Sequence, residues 1–248
     1  MAKAVVLDAG GRRLSATSEE KARRLLRDGK AVLVQQEPLT IRLTYAVDLP
    51  PRPQLEPETP PGHPKRILLH VCCAPCATYT VKRLRELAFD VTGYWYNPNV
   101  HPFSEHERRR EALVQYATQI DLPVIWEPGY EIVAFMRAIH DQERFRVRCP
   151  ICYRIRLERT AQVAAREGFD VFTTTLLISP YQDQESIRAI GQRAAAEHGL
   201  NFYFENFRRG WSEHGQMTRE HGLYSQHYCG CVYSEWEALD RQAVTLER

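Results

Sequence analysis

The 248-residue chain carries 33 Lys and Arg against 31 Asp and Glu, and a net charge of +2 does not by itself mark a polyanion-binding protein. Its 44% hydrophobic and 26% charged content suits an ordinary globular protein, long enough for one good-sized core and a small appendage. No stretch approaches the roughly 20 apolar residues of a membrane span, and the apolar run at the amino terminus is too short for a signal peptide; the chain reads as cytoplasmic, with reduced thiols and no membrane partner.

The first 49 residues predict a small basic α+β domain. Ala4-Val5-Val6-Leu7 reads as a strand and Asp8-Ala9-Gly10-Gly11 as a turn. Thr17 with Glu20 makes a capping box for a helix that runs through Arg27 and closes at Gly29. Ala31–Val34 and Thr40–Leu43 supply two further strands. Leu7-Asp8, Lys21-Ala22-Arg23-Arg24-Leu25-Leu26, Gly29-Lys30-Ala31-Val32 and Pro38-Leu39-Thr40-Ile41-Arg42-Leu43 together resemble the RRXRR-type domain that precedes some HNH-type nucleases. That resemblance implies contact with nucleic acid; the alternative is a solvated basic helix face. Residues 50–64, PPRPQLEPETPPGHP, hold seven prolines and predict an extended linker and a domain boundary.

From residue 65 onward, apolar strands alternate with helical patterns. Strands are expected at 66–71, 91–96, 123–126, 171–174 and 202–204. Helices are expected at 78–87, 104–117, 130–139, 150–167 and 184–198. Such alternation predicts an α/β fold, a parallel sheet with helices on both faces.

All seven cysteines fall in three tight groups: Cys72-Cys73-Ala74-Pro75-Cys76, Cys149-Pro150-Ile151-Cys152 and Cys229-Gly230-Cys231. Thiols gathered in this way bind a soft metal or an iron–sulfur cluster, or exchange electrons as a dithiol. The first group follows the first strand of the sheet, where open parallel sheets bind ligands. A Ser-Gly-Gly-x-Asp-Ser nucleotide loop, expected there in an ATP-pyrophosphatase, is absent. Cys149 and Cys152 open a helix, whose dipole favours thiolate. Cys229 and Cys231 fit a redox pair, ligands of a second metal, or packing. A purely structural zinc site is the competing reading of the whole set.

Other residues carry weaker signals. Arg108, Arg109, Arg110, Arg154, Arg156 and Arg159 suit either nucleic-acid phosphates or solvated helix faces. His70, inside a strand, suits a hydrogen-bonded core histidine better than a ligand. Tyr96, Asn97, Asn99 and Tyr181 fall near predicted strand ends and could bind or stack on a flipped base, or simply form turns.

Five blocks of the second domain carry a specific resemblance. They are Leu69-His70-Val71-Cys72-Cys73-Ala74-Pro75-Cys76, Tyr96-Asn97-Pro98-Asn99, Arg148-Cys149-Pro150-Ile151-Cys152-Tyr153-Arg154-Ile155-Arg156-Leu157, Thr173-Thr174-Thr175-Leu176-Leu177-Ile178-Ser179-Pro180, and Gly222 through Tyr233. In this order they resemble the epoxyqueuosine reductases of the QueH type. The resemblance implies an adenine nucleotide alpha hydrolase-like fold and an iron–sulfur enzyme. Its reaction would be the reduction of epoxyqueuosine to queuosine in the tRNA wobble position, the last step of queuosine biosynthesis, fed by an unidentified electron donor. On that reading Cys72, Cys73, Cys149 and Cys152 hold a [4Fe-4S] cluster. Cys229 and Cys231 then act as a redox pair or, with Cys76, as ligands of a second, mononuclear iron. Asn97, Asn99 and Tyr181 are the candidate substrate contacts. Two other classes compete: a non-catalytic zinc-containing RNA-binding protein and a cluster-dependent tRNA sulfur-transfer enzyme.

Overall fold

Where the chain buries its apolar residues, it does so in two separate compact units, residues 1–52 and 53–248. The structure, a computed structural model, describes residues 3–14, 16–45 and 65–246, with side chains through residue 240. The proline-rich segment 50–64 lies outside the described residues.

The first unit contains strands β1 (Lys3–Leu7) and β2 (Thr17–Ser18), helix α1 (Glu19–Arg27), and strands β3 (Ala31–Gln35) and β4 (Thr40–Leu43). The sheet order is β2-β1-β4-β3, with β1 parallel to β4 and the other pairs antiparallel. Its core is small: Ala4, Val6, Ala22, Ala31, Leu39, Ile41 and Leu43. The cap of α1 falls one residue later than expected. Ser18 accepts from the Lys21 backbone N–H, because Thr17 is taken up by pairing with Ala4 of β1. Lys21, Arg23, Arg24 and Arg27 are all exposed.

The second unit begins with β5 (Arg66–His70), α2 (Ala74–Glu86), β6 (Asp90–Trp95), α3 (Phe103–Gln119) and β7 (Val124–Trp126). It continues through α4 (Ile132–Ile139), α5 (Arg148–Arg166), β8 (Val171–Thr174), α6 (Gln184–Glu197), β9 (Asn201–Phe202), α7 (Trp211–Glu220) and α8 (Val232–Leu246). The five strands form one parallel sheet in the order β7-β6-β5-β8-β9. β5 is central, and Ile67, Leu68 and Leu69 are fully buried, as a strand covered on both faces requires.

From β5 the chain first winds outward through β6 to β7, then returns to the other side of β5 for β8 and β9. Right-handed crossovers therefore put α2 and α3 on one face and α5 and α6 on the other. The packing agrees: α2 meets α3 and α7, while α5 meets α4 and α6. The reversal of winding leaves a crevice at the carboxyl ends of β5 and β8.

Two departures from the sequence reading bear on function. Helix α2 starts at Ala74 rather than Thr78, since Pro75 in the first turn has no N–H that a helix would need. Helices α7 and α8 carried no sequence expectation, and α8 begins immediately after Cys231.

Packing on the α5–α6 face is tight enough to exclude a methyl group. A Cβ at Gly191 of α6 would stand 2.6 Å from the Phe202 ring on β9. Gly191→Ala should therefore lower stability by about 1–3 kcal/mol through overpacking, despite its gain in helix propensity. Thermal and denaturant unfolding would measure this; an unchanged or raised midpoint would show that the α6–β9 contact yields freely.

Candidate metal centre

Each cysteine group stands at the amino end of a helix. Cys73 is the N-cap of α2, and Cys76 lies in its first turn. Cys149 and Cys152 occupy the first turns of α5. The Cys231 carbonyl accepts from the Ser234 and Glu235 N–H groups as α8 begins. Unpaired N–H groups and the positive end of the dipole thus favour negative charge at all three places.

The sulfurs of Cys72, Cys73 and Cys76 all lie within 4.8 Å of one another. One helical turn separates Cys73 from Cys76, and the early start of α2 brings Cys76 into this trio. The Cys72 N–H donates to the Thr175 hydroxyl at 3.0 Å, and that hydroxyl donates to the Cys72 sulfur at 3.2 Å. Hydrogen bonds from Cys72 and Cys76 draw the Cys73 thiol well below its ordinary pKa, with Arg109 assisting. The same contacts raise its partners: hydrogen bonding to Cys73 pushes Cys72 up to about 11, and hydrogen bonding to Cys72 raises Cys76.

The other four thiols gather beside it. Cys152 and Cys231 are buried together against Phe135 and Ile139. Cys149 is within electrostatic reach of Cys229 and Cys231, and Cys229 is within reach of Cys72. Cys229 is exposed as a residue, yet its sulfur faces inward and accepts from the Gln182 side chain at 3.3 Å. Burial raises the thiols of Cys149 and Cys229 and pushes Cys152 up to about 12, with Arg156 opposing the rise at Cys152 and Cys229. These groups hold protons at neutral pH, so a metal bound by them would release those protons.

Named contacts hold the Cys229-Gly230-Cys231 turn in place. Gly230 has φ +146°, and a Cβ there would meet Val100, Arg109 and Asn99 at 3.1–3.3 Å; only glycine suits that backbone. The Gly230 carbonyl accepts from the His101 N–H at 2.8 Å. Arg109, 1% exposed, donates to the Cys229 and Tyr228 carbonyls and, at 2.7 Å, to Glu105. Arg148 joins the start of α5 to α8 through a two-pronged pair with Glu237 at 2.8 and 2.7 Å.

Asn97 and Asn99 are buried beside the thiols, whereas Tyr181 is 74% exposed. The Asn97 amide donates to the Val71 carbonyl, next to Cys72, and the side-chain carbonyls of both asparagines lack hydrogen-bond partners. Asn97 also borders a small cleft with Trp95, Tyr96, His106, Tyr130 and Glu131 at the carboxyl ends of β6 and β7. His70 is a core histidine: Nδ1 accepts from the Thr174 hydroxyl and Nε2 donates to the Tyr96 carbonyl. Burial lowers its pKa to about 4, keeping it neutral.

The arginines divide differently from the sequence reading. Arg109 and Arg156 are buried at the thiols and cannot face phosphate. Arg159 pairs with Glu127, Arg110 with Glu107 and Arg154 with Glu158, while Arg108 lies over the Tyr224 ring. Sequence reasoning also missed Thr175, Gln182 and Glu105 as contacts of the site. Arg156, four residues after Cys152, and Glu105, four before Arg109, each share a helix face with their partner and so had a usable signal. The rest depend on distant segments meeting.

Two family models match the chain: epoxyqueuosine reductase QueH over residues 67–237 and RRXRR protein over residues 4–64. An epoxyqueuosine reductase QueH of Dehalococcoides mccartyi is 38% identical over 176 residues, covering 71% of this chain and 96% of that protein. The Thermotoga maritima protein of the same name is 38% identical over 184 residues, covering 71% and 94%. That of Histophilus somni is 35% identical over 207 residues, covering 79% and 84%.

The Arg148–Glu237 pair gives a direct test of how the second and third groups are held together. Arg148→Met should cost about 3 kcal/mol, the low end for breaking a buried pair, because Glu237 keeps some solvent contact. Adding Glu237→Leu should recover part of that loss in denaturant unfolding. A double variant no more stable than Arg148→Met would mean that the pair is not the element joining α5 to α8.

Proposed function

Because the chain belongs to the epoxyqueuosine reductase QueH family, we propose that it reduces epoxyqueuosine to queuosine in the wobble position of a tRNA anticodon, the last step of queuosine biosynthesis. The observation that supports this reading is the close trio of Cys72, Cys73 and Cys76 at the carboxyl end of β5, with Cys149, Cys152, Cys229 and Cys231 within electrostatic reach of one another and Cys229 within reach of Cys72. We further propose that residues 65–248 form the reductase domain, that 50–64 link it to the small RRXRR-like domain of residues 1–49, and that the protein works in the cytoplasm.

Converting an epoxide to an alkene breaks two C–O bonds, forms one C=C bond and releases the oxygen as water. Two electrons and two protons are consumed. The donor set is all sulfur, which suits soft metals and iron–sulfur clusters and disfavours hard cations. A [4Fe-4S] cluster held by these cysteines would supply electrons singly, and an iron with an open position would polarise the epoxide oxygen.

The chain's own groups fit the remaining requirements. Cys72, Cys73 and Cys76, so close together, support a partition in which all three hold the cluster. The sequence-based alternative joins Cys72 and Cys73 to Cys149 and Cys152 and gives Cys76 to a second iron. Cys229 and Cys231 then serve as further ligands or as a redox pair. In the second role, two thiols give two electrons and two protons and become a disulfide, which balances epoxide to alkene plus water; an external donor restores the thiols. Helix starts and Arg109 stabilise the thiolate charge that either role needs. Asn97 and Asn99 turn unpartnered carbonyl oxygens toward buried surroundings that a substrate hydroxyl or amine can satisfy. Tyr96 and Tyr130 offer aromatic surface for a flipped base, and exposed Tyr181 a stacking contact with neighbouring nucleotides.

Iron and acid-labile sulfide measured on anaerobic protein test this reading. The wild type should be brown and contain both, whereas colourless, fully active protein holding only zinc would overturn it. Cys76→Ala separates the two partitions. Loss of iron and sulfide together places Cys76 on the cluster; loss of iron with sulfide retained places it on a second metal.

The amino-terminal domain is proposed to add tRNA affinity through the exposed Lys21, Arg23, Arg24 and Arg27. Deleting residues 1–60 should weaken tRNA binding and flatten its salt dependence, because fewer counterions are released. Turnover at saturating tRNA should stay near normal, since all seven cysteines remain. Equal affinity of both forms at every salt concentration would assign the domain another task.

A further inference from the structure

Arg156 is a buried cation without a carboxylate. It lies four residues after Cys152 on α5 and is 1% exposed. Its Nε donates to the Cys152 carbonyl and one Nη to the Cys152 sulfur, both at 3.1 Å. The ionisable groups within its electrostatic reach are Cys152, Cys229 and Cys72, one from each cysteine group, and the Tyr153 hydroxyl, which burial keeps neutral. Among the described residues no Asp or Glu forms an ion pair with it. Arg109 and Arg148, also buried guanidiniums of the site, differ in having Glu105 and Glu237, each at 2.7 Å.

A guanidinium keeps its proton in proteins, so Arg156 cannot escape burial by becoming neutral. A buried charge without an opposite charge is strongly unfavourable. Among the described residues, the acidic groups placed to oppose it are the three thiols, as thiolates, and the Tyr153 hydroxyl, whose pKa burial raises. We propose that Arg156 is the electrostatic counter-ion of the metal-bound thiolates, and that its charge raises the reduction potential of the centre they hold. The physical reason is direct: reduction adds one negative charge to that centre, and a cation in a low-dielectric interior stabilises the added charge. The electron comes from the external donor, and Arg156 itself gains and loses nothing. Arg156 thus acts through the thiolates and makes the centre easier to reduce.

This inference rests on the reading of the thiols as metal ligands. Its test is a redox titration of the full chain, reconstituted anaerobically with iron and sulfide and followed by visible and electron paramagnetic resonance spectra. Relative to wild type, Arg156→Gln should shift the midpoint to more negative potential. Arg156→Lys, which keeps a charge without the planar fork, should lie nearer wild type. If Arg156→Gln takes up no iron while Arg156→Lys does, the need for charge is likewise supported. An Arg156→Gln midpoint equal to wild type overturns the proposal. So does an equal shift in both variants, or failure of both to fold or to take up iron, because shape rather than charge would then be at issue. Wild-type protein that binds no iron fails the metal reading itself, a result told apart by needing no variant.

Discussion

Thiolates cannot be crowded into a protein interior unless something positive meets them, and this requirement organises the second unit. Three helices, α2, α5 and α8, aim their amino ends at one place, each beginning with its cysteines. The parallel sheet makes that possible for α2 and α5: every strand ends on the same side, and the winding reverses at β5. Helix α8 comes from outside the sheet and is tied in by Arg148 to Glu237 and by Arg109 to the Cys229 carbonyl.

The polar groups around the thiols divide into supports and counter-charges. Thr175, Gln182 and the His101 backbone fix Cys72, Cys229 and Gly230 by hydrogen bonds whose partners are far away in sequence. Arg109 and Arg156 supply positive charge from two different helices. Burial by itself would keep most of the thiols protonated, and a metal bound there would take their protons' place. Asn97 and Asn99 lie beside this arrangement with buried side-chain carbonyls that lack hydrogen-bond partners.

The family shapes this unit, and the amino-terminal unit stands apart from it in both composition and core. Seven buried residues and one short amphipathic helix are enough to present a row of exposed basic side chains, while leaving Val32, Leu33 and Val34 of the edge strand β3 in solvent. Such a unit has little interior in which to build a catalytic site, and what it offers is surface.

Much of the fold was legible from local pattern. Runs such as Ile67-Leu68-Leu69 and Val171-Phe172 mark strands buried on both faces, and their alternation with amphipathic helices leaves little but a parallel α/β sheet. The cysteine spacing likewise located the chemistry, because residues three or four apart at a helix start share one face. Cys72, Cys73 and Cys76 form one group in the sequence, but the approach of the Cys76 sulfur to the other two turned on α2 starting four residues early, ahead of a proline that tolerates the first turn. A run of arginines in α3 could not disclose that Arg109 alone turns inward while its neighbours stay outside. Local sequence determines which residues can share a strand or a helix face, because those periods are set by backbone geometry. Which helix starts face one another, and which charges are thereby buried together, depends on contacts between segments 120 or more residues apart, as Arg109 and Cys229 are, and only the tertiary structure decides them.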